Sequence, residues 1–130
     1  MIPIPEDLKY HSEHMWLRVQ GRRGTIGITH YAQEQLGDVV YIEIPEIGLD
    51  VEADAHIGEI ESTKTTSPIE APVSGRIVEI NEDLEDSPDL VNEDPYKRGW
   101  IAVIEMTDTV EADELMSAKE YQKYLEEESK

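Results

Sequence analysis

Short apolar runs, each cut off by glycine, proline or a polar turn, set the strongest limit on what this chain can become. The runs "WLRV", "TIGIT", "DVVYIEIP", "HIGEIES", "GRIVEIN" and "WIAVIEM" are each four to eight residues long. Val, Ile and Thr dominate them, and β-branched side chains suit a pleated, half-buried surface. Residues 16–28 read as two strands around a turn at 21–24. In "GRIVEIN" strict alternation places Ile77 and Glu79 on one face and Val78 and Ile80 on the other. Helical signals are confined to short pieces. Thr29 is an N-cap before "HYAQEQL", with Gly37 in the C-cap position. Ser87 and Pro88 suggest one helical turn. From Thr107 onward Val110, Leu115, Met116, Tyr121, Tyr124 and Leu125 recur at near-helical spacing, which predicts one or two amphipathic helices. The expectation is one mostly-β domain over residues 1–130, with its core at about 16–106 and a helical extension at about 107–127.

The segment "GEIESTKTTSPIEAPVSG" departs from this alternation and holds a single lysine. Reading outward from Lys64, the nearest lysine or arginine is Arg23 on one side and Arg76 on the other, with ten acidic residues and no other Lys or Arg between them. Thr63, Thr65 and Thr66 favour extended backbone, while Pro68 and Pro72 forbid a helix. Lys64 is therefore expected at the tip of a tight turn with its side chain toward solvent. A lysine so placed is ordinarily a solvated surface residue. Here the two flanking strands, the proline-stiffened exit and the absence of competing lysines would present one unambiguous amine to a modifying enzyme.

Charge and composition narrow the partners. With 11 basic and 30 acidic residues the net charge is −19, a field that repels nucleic acid and anionic membrane surfaces alike. The same field favours a soluble monomer and basic patches on other proteins. There is no cysteine, hence neither a disulfide framework nor a thiolate metal site. Apolar runs are far too short to span a bilayer, and "MIPIPEDLKY" has no signal-peptide character, so the cytoplasm is the expected location. Phe is absent, which leaves Tyr and two Trp to supply aromatic packing in a thin core. Enzymatic constellations are lacking. His11, Glu13 and His14 in "HSEH" lack the further ligands a metal site needs, Ser74 in "PVSG" is not in a nucleophile elbow, and no glycine-rich loop opens a helix.

"ESTKTTSPIEAPVSGRIVEIN" resembles the lipoyl-lysine segment of the glycine-cleavage H-protein family, with Lys64 at the modified position. The resemblance extends through "LKY", "TIGITHYAQEQLGDVVYIEIPEIG", "SPDLVNEDPYKRGW" and "SAKEYQKYL". It implies a hybrid barrel-sandwich, a flattened barrel of two β-sheets with short helices added, and a non-catalytic carrier whose lipoic acid is joined by an amide to Lys64. Glu61 and Ser62, with "APVSG", would hold the turn that a lipoate-protein ligase or lipoyl transferase reads. In glycine cleavage the implied partners are glycine decarboxylase, aminomethyltransferase and dihydrolipoamide dehydrogenase. The family carries a Glu between His and Trp and an Asp soon after the lysine; this chain has Met15 and Pro68 at those positions. Neither side chain can accept a charge-assisted hydrogen bond from the ammonium of an aminomethyl-loaded arm, as the family's carboxylates would. These departures tilt the expectation toward a sulfur-carrying relative that serves a heterodisulfide-reductase-like complex. Glycine cleavage stands as the alternative, and a lipoyl relay or storage protein as a third reading.

Overall fold

The structure, a computed structural model, describes residues 2–128. In chain order its elements are β1 (Lys9–Tyr10), β2 (Met15–Gln20), β3 (Arg23–Ile28), α1 (His30–Leu36), β4 (Val39–Glu43), β5 (Asp50–Val51), β6 (His56–Ser62), β7 (Thr66–Glu70), β8 (Gly75–Ile80), α2 (Asp83–Asp86), α3 (Leu90–Glu93), β9 (Ala102–Met106), α4 (Val110–Asp113) and α5 (Ala118–Glu128). One sheet has six strands in the order β1-β2-β3-β9-β8-β5, and the other three in the order β4-β6-β7, all paired antiparallel.

The inner faces meet in an aliphatic core. Leu17, Ile26, Ile77 and Ile104 from the larger sheet join Ile42, Ile60 and Ile69 from the smaller one, all buried. This is the expected barrel-sandwich. The aromatic side chains are segregated from it. Trp16 follows the opposite face of β2 from Leu17, and there it joins Leu8, Tyr10, Tyr121 and Leu125 in a second cluster. Tyr10 and Tyr121 stack with ring centroids 4.6 Å apart and planes 3° from parallel. Trp16 lies flat across β3 because Gly27 opposes it; a methyl group at Gly27 would stand 2.5 Å from the indole. Its Nε1 donates to the Pro95 carbonyl at 2.9 Å, and the Arg18 guanidinium sits 4.9 Å above the ring. Backbone bonds in both directions between Tyr10 and Met116, at 2.8 and 2.9 Å, bind the N-terminal strand to the approach to α5.

Several sequence expectations need correction. Ile77 is fully buried while Glu79 is exposed, so they do not share a face. The β8–β9 ladder slips between Ile77 and Glu79, and the extra residue inverts the alternation. Gly24 is inside β3, not in the turn, and Leu17 leans over its bare Cα. Two helical turns, α2 and α3, flank Ser87 and Pro88 in place of one. Strands β1 and β5, two residues each, carry no periodicity and escape notice in the sequence. The helix after Thr29 forms as read: the hydroxyl accepts from the Ala32 N–H, and Gly37, at φ 77°, closes the helix by donating to the Gln33 carbonyl. Pro68 is accommodated inside β7 because β7 is an edge strand.

Candidate functional site

Lys64 stands at the tip of the β6–β7 hairpin, and Ser62 shapes the tip. The Ser62 hydroxyl accepts from the Lys64 N–H at 3.3 Å and the Thr65 N–H at 3.1 Å and donates to the Thr65 carbonyl at 3.1 Å. The Ser62 N–H donates to the same carbonyl at 2.8 Å. One buried hydroxyl thus satisfies the backbone that a tight turn would otherwise leave unpaired.

Outside bonds fix the turn to the rest of the protein. The Thr63 N–H donates to the Asp38 carbonyl at 3.0 Å. Asp38 lies in the link between α1 and β4, which Asn92 of α3 clamps from behind. Asn92 Oδ1 accepts from the Val39 N–H at 2.9 Å, and its Nδ2 donates to the Gly37 carbonyl at 2.9 Å and to Gln33 Oε1 at 3.1 Å. The Lys64 side chain is exposed, yet its methylenes lie along the end of α1. A methyl group on Gly37 would come within 3.3 Å of Lys64 Cε and 3.9 Å of Nζ.

Beside the turn opens a cleft of ≈ 270 Å³ between α1, the start of β2 and the β7 edge. Met15, Ile28, Leu36, Ile60 and Pro68 give it apolar walls, and Glu13, His14 and Tyr31 a polar end. Met15 and Pro68, the two positions at which the chain departs from the resembled family, both line it. His14 takes a left-handed backbone conformation, φ 67°, that a side-chain-bearing residue seldom adopts. Surrounding contacts hold it there. Its N–H donates to the His11 carbonyl and its own carbonyl accepts from Thr29; Nδ1 is 2.9 Å from the Tyr121 hydroxyl, and Nε2 is 3.4 Å from Glu128. Burial holds the His14 imidazole below its ordinary pKa, opposed by the carboxylates of Glu128 and Glu13.

The structure distributes the sequence candidates unevenly. Ser62 is built into the turn, whereas Glu61 pairs with Tyr41 and Thr66 across the sheet and keeps an exposed side chain. The segment 71–75 does not hold the turn: it follows β7, at the end of the strand remote from Lys64. There the Ser74 hydroxyl donates to Glu111 Oε2 at 3.0 Å and accepts from the Ala53 N–H at 2.9 Å, tying down α4 instead. His11 and His14 do not converge with Glu13 on one point, since His11 Nε2 turns to Asp54 Oδ1 at 2.5 Å and His14 to Tyr121. Asn92 and the cleft wall formed by Tyr31 and Leu36 went unrecognised in the sequence. Asn92 sits in an acidic, turn-rich run with no local signal; Leu36 and Tyr31 read there only as parts of a short helix.

Chemically, the site offers one presented amine and no acid–base pair aligned with it. Among the described residues the Lys64 ammonium forms no ion pair.

Comparison with known proteins bears on this geometry. A family model described as Glycine cleavage H-protein matches residues 8–128. The chain is 48% identical over 124 residues to the glycine cleavage system H protein of Bacillus subtilis (strain 168), covering 95% of this chain and 98% of that one. It is 50% identical over 128 residues to the glycine cleavage system H protein of Halalkalibacterium halodurans, covering 98% and 100%. Among solved structures, the crystal structure of a glycine cleavage system H protein from Mycobacterium marinum superposes with a TM-score of 0.84 at 40% identity, covering 92% of this chain and 97% of that one.

Proposed function

The chain belongs to the glycine cleavage H-protein family, whose members are non-catalytic carriers of a lipoic acid attached covalently to a lysine, and we propose that this one carries it in amide linkage on Lys64 and serves glycine cleavage. The observation that carries the reading is Lys64 itself: a lone amine on a hydrogen-bonded hairpin tip, at the edge of an apolar cleft. The residues fit the group. Acylation needs an accessible neutral amine, and Lys64 is exposed and unpaired; the cleft supplies nearby apolar surface for an aliphatic chain. When bound, lipoic acid supplies a dithiolane that opens to accept a transferred group on sulfur.

The chain's own residues do the positioning. Ser62 and the Thr63–Asp38 bond fix the direction in which Lys64 leaves the protein. Amide formation removes the lysine's positive charge, leaving an uncharged arm beside the apolar cleft. Met15, Leu36 and Ile60 form the apolar wall of the cleft beside the tip. With no cysteine, the carrier cannot capture exposed thiols by exchange. Lipoate-protein ligase or lipoyl transferase would load the lysine, and glycine decarboxylase, aminomethyltransferase and dihydrolipoamide dehydrogenase would use it.

The sulfur-carrying reading keeps one observation in its favour. Met15 and Pro68 leave Glu13 as the lone carboxylate lining the cleft. Near-full-length relatives named for glycine cleavage support that function over the sulfur role, and Glu13 places an anion at the cleft's polar end. Two measurements test the proposal. Intact mass after treatment with lipoate ligase should show one lipoyl group on the wild type and none on Lys64→Arg, which keeps the charge and lacks the acylatable amine. The lipoylated wild type should then support exchange of labelled bicarbonate into glycine by glycine decarboxylase. Full lipoylation without exchange would reject the glycine-cleavage role and leave the sulfur-carrying one.

A further inference from the structure

Among the described residues six large apolar side chains are strongly exposed, and four of them, Val40, Tyr41, Ile47 and Leu49, fall within residues 40–49. Tyr41 is 57% exposed and Ile47 60%. A break in the ladder is responsible for part of this. Strand β4 pairs Val39 with Ser62 and Tyr41 with Glu61, so Val40 is an extra residue with no counterpart on β6. Strict alternation would turn either Val40 or Tyr41 inward; with the bulge both face solvent, between buried Val39 and Ile42. Tyr41, Ile44, Ile47 and Ile80 wall a groove of ≈ 560 Å³, whose charged lining is acidic throughout: Glu43, Glu46 and Glu85.

Charge selects the occupant. Two copies meeting through this face would set those carboxylates against their own images, in a chain of net charge −19. Glu43 also stands directly opposite Glu59 across the β4–β6 ladder, a like-charge pair that weakens the sheet. An apolar protrusion ringed by lysine or arginine would fill the groove and neutralise its rim together. Strand β4 adjoins β6, the strand that leads into the lysine turn, and Tyr41 faces Glu61, three residues before Lys64.

We infer that the groove between β4 and residues 44–47 is the docking face for the enzyme that takes the Lys64 arm into its active site, and that this enzyme presents there an apolar protrusion ringed by basic side chains. The inference rests on the carrier function proposed above. Docking along the strand paired with β6 holds the arm within reach of the partner at high local concentration without constraining the arm itself.

The test uses the fully lipoylated chain in the bicarbonate-exchange assay with glycine decarboxylase. Tyr41→Ser combined with Ile47→Ser should raise KM for the carrier about tenfold with kcat unchanged, the signature of lost docking. Glu43→Gln combined with Glu46→Gln should flatten the rise of KM with added salt that the wild type shows. Val19→Ser, which removes an exposed apolar side chain from β2 instead, should change neither. Urea midpoints no lower than wild type would establish that all variants fold. Unchanged KM in both groove variants, with an active wild type, overturns the docking face and leaves the carrier function standing. A lipoylated wild type without exchange overturns the carrier function, and the docking face with it. A wild-type dimer in sedimentation equilibrium that Tyr41→Ser dissolves would name a second copy as the occupant and overturn the basic partner.

Discussion

Asn92→Ala gives the sharpest test of how the lysine turn is held. Asn92 uses three hydrogen bonds to lock the link between α1 and β4: to the Val39 N–H, the Gly37 carbonyl and Gln33 Oε1. Water can replace the bond to the Gly37 carbonyl, because Gly37 is half-buried, while Gln33, only 9% exposed, loses one partner of its Oε1. The Val39 N–H cannot be so replaced, since Val39 is only 4% exposed, and a buried donor left unpaired costs about 1–3 kcal/mol. Adding about 0.5–1 kcal/mol for the two weakened bonds gives roughly 1.5–4 kcal/mol in all, or a fall in Tm of roughly 5–20 °C for a chain of this size. Urea denaturation should show the loss as a lower midpoint at unchanged slope. Hydrogen exchange supplies a local readout: the Thr63 amide, bonded to the Asp38 carbonyl inside the clamped link, should lose protection by more than the global destabilisation accounts for. Lipoylation of the variant should show a raised KM for the ligase. A loss under 0.5 kcal/mol, or Thr63 protection that follows global stability alone, would refute the view that Asn92 positions the lysine turn.

Other consequences are open to equally direct measurement. Gly27→Ala sets a methyl group 2.5 Å from the Trp16 ring and should cost about 1–3 kcal/mol by overpacking, read as a lower urea midpoint with altered tryptophan fluorescence. Thr29→Val removes the N-cap of α1 and should cost about 1 kcal/mol, while the Tyr121 hydroxyl keeps its contact with His14. Burial lowers the folded-state pKa of His14, so the unfolded chain binds the extra proton first on acidification; stability should fall as pH drops below about 6.5, and His14→Gln should flatten that slope. At the alkaline end the sign reverses. Tyr10 and Tyr121 are held well above the ordinary phenol range, chiefly by burial, so the unfolded chain ionises first and stability should decline above about pH 10. In an absorbance titration these two tyrosines should ionise only with unfolding.

Local chemistry was readable wherever it acted over a few residues. Thr29 and Gly37 announce the ends of α1, and the threonines and prolines around Lys64 announce an extended hairpin, because capping and turn geometry depend on near neighbours. Pairing across the sheets was not. Val40 and Val78 look like ordinary strand residues, yet each coincides with a slip of register that only the partner strand dictates, and each slip inverts which side chains face the core. The lysine was found from its isolation, but its supports were not. Gly37, legible as the end of α1, also leaves room for the Lys64 methylenes, and Asn92 reaches across from a stretch 55 residues away in sequence. In sequence His14 stands out only as an incomplete metal ligand; its left-handed backbone follows from the fold around it.

The pairing of Tyr10 with Met116, and the stack of Tyr10 on Tyr121, have a consequence for how the chain is made. Tyr31, Tyr96 and Trp100 pack on the cluster around β1 and Trp16, but its buried set is complete only when Tyr121 and Leu125 arrive. During synthesis, the Tyr10–Trp16 side of this cluster therefore stays incomplete while about a hundred more residues are added, several seconds or more at ordinary elongation rates. The aliphatic interior can close earlier, once β9 has emerged. The aromatic cluster is thus sealed after the interior, by α5 closing on β1, so a ribosome stalled before α5 would hold a chain with a finished interior and an incomplete aromatic cluster.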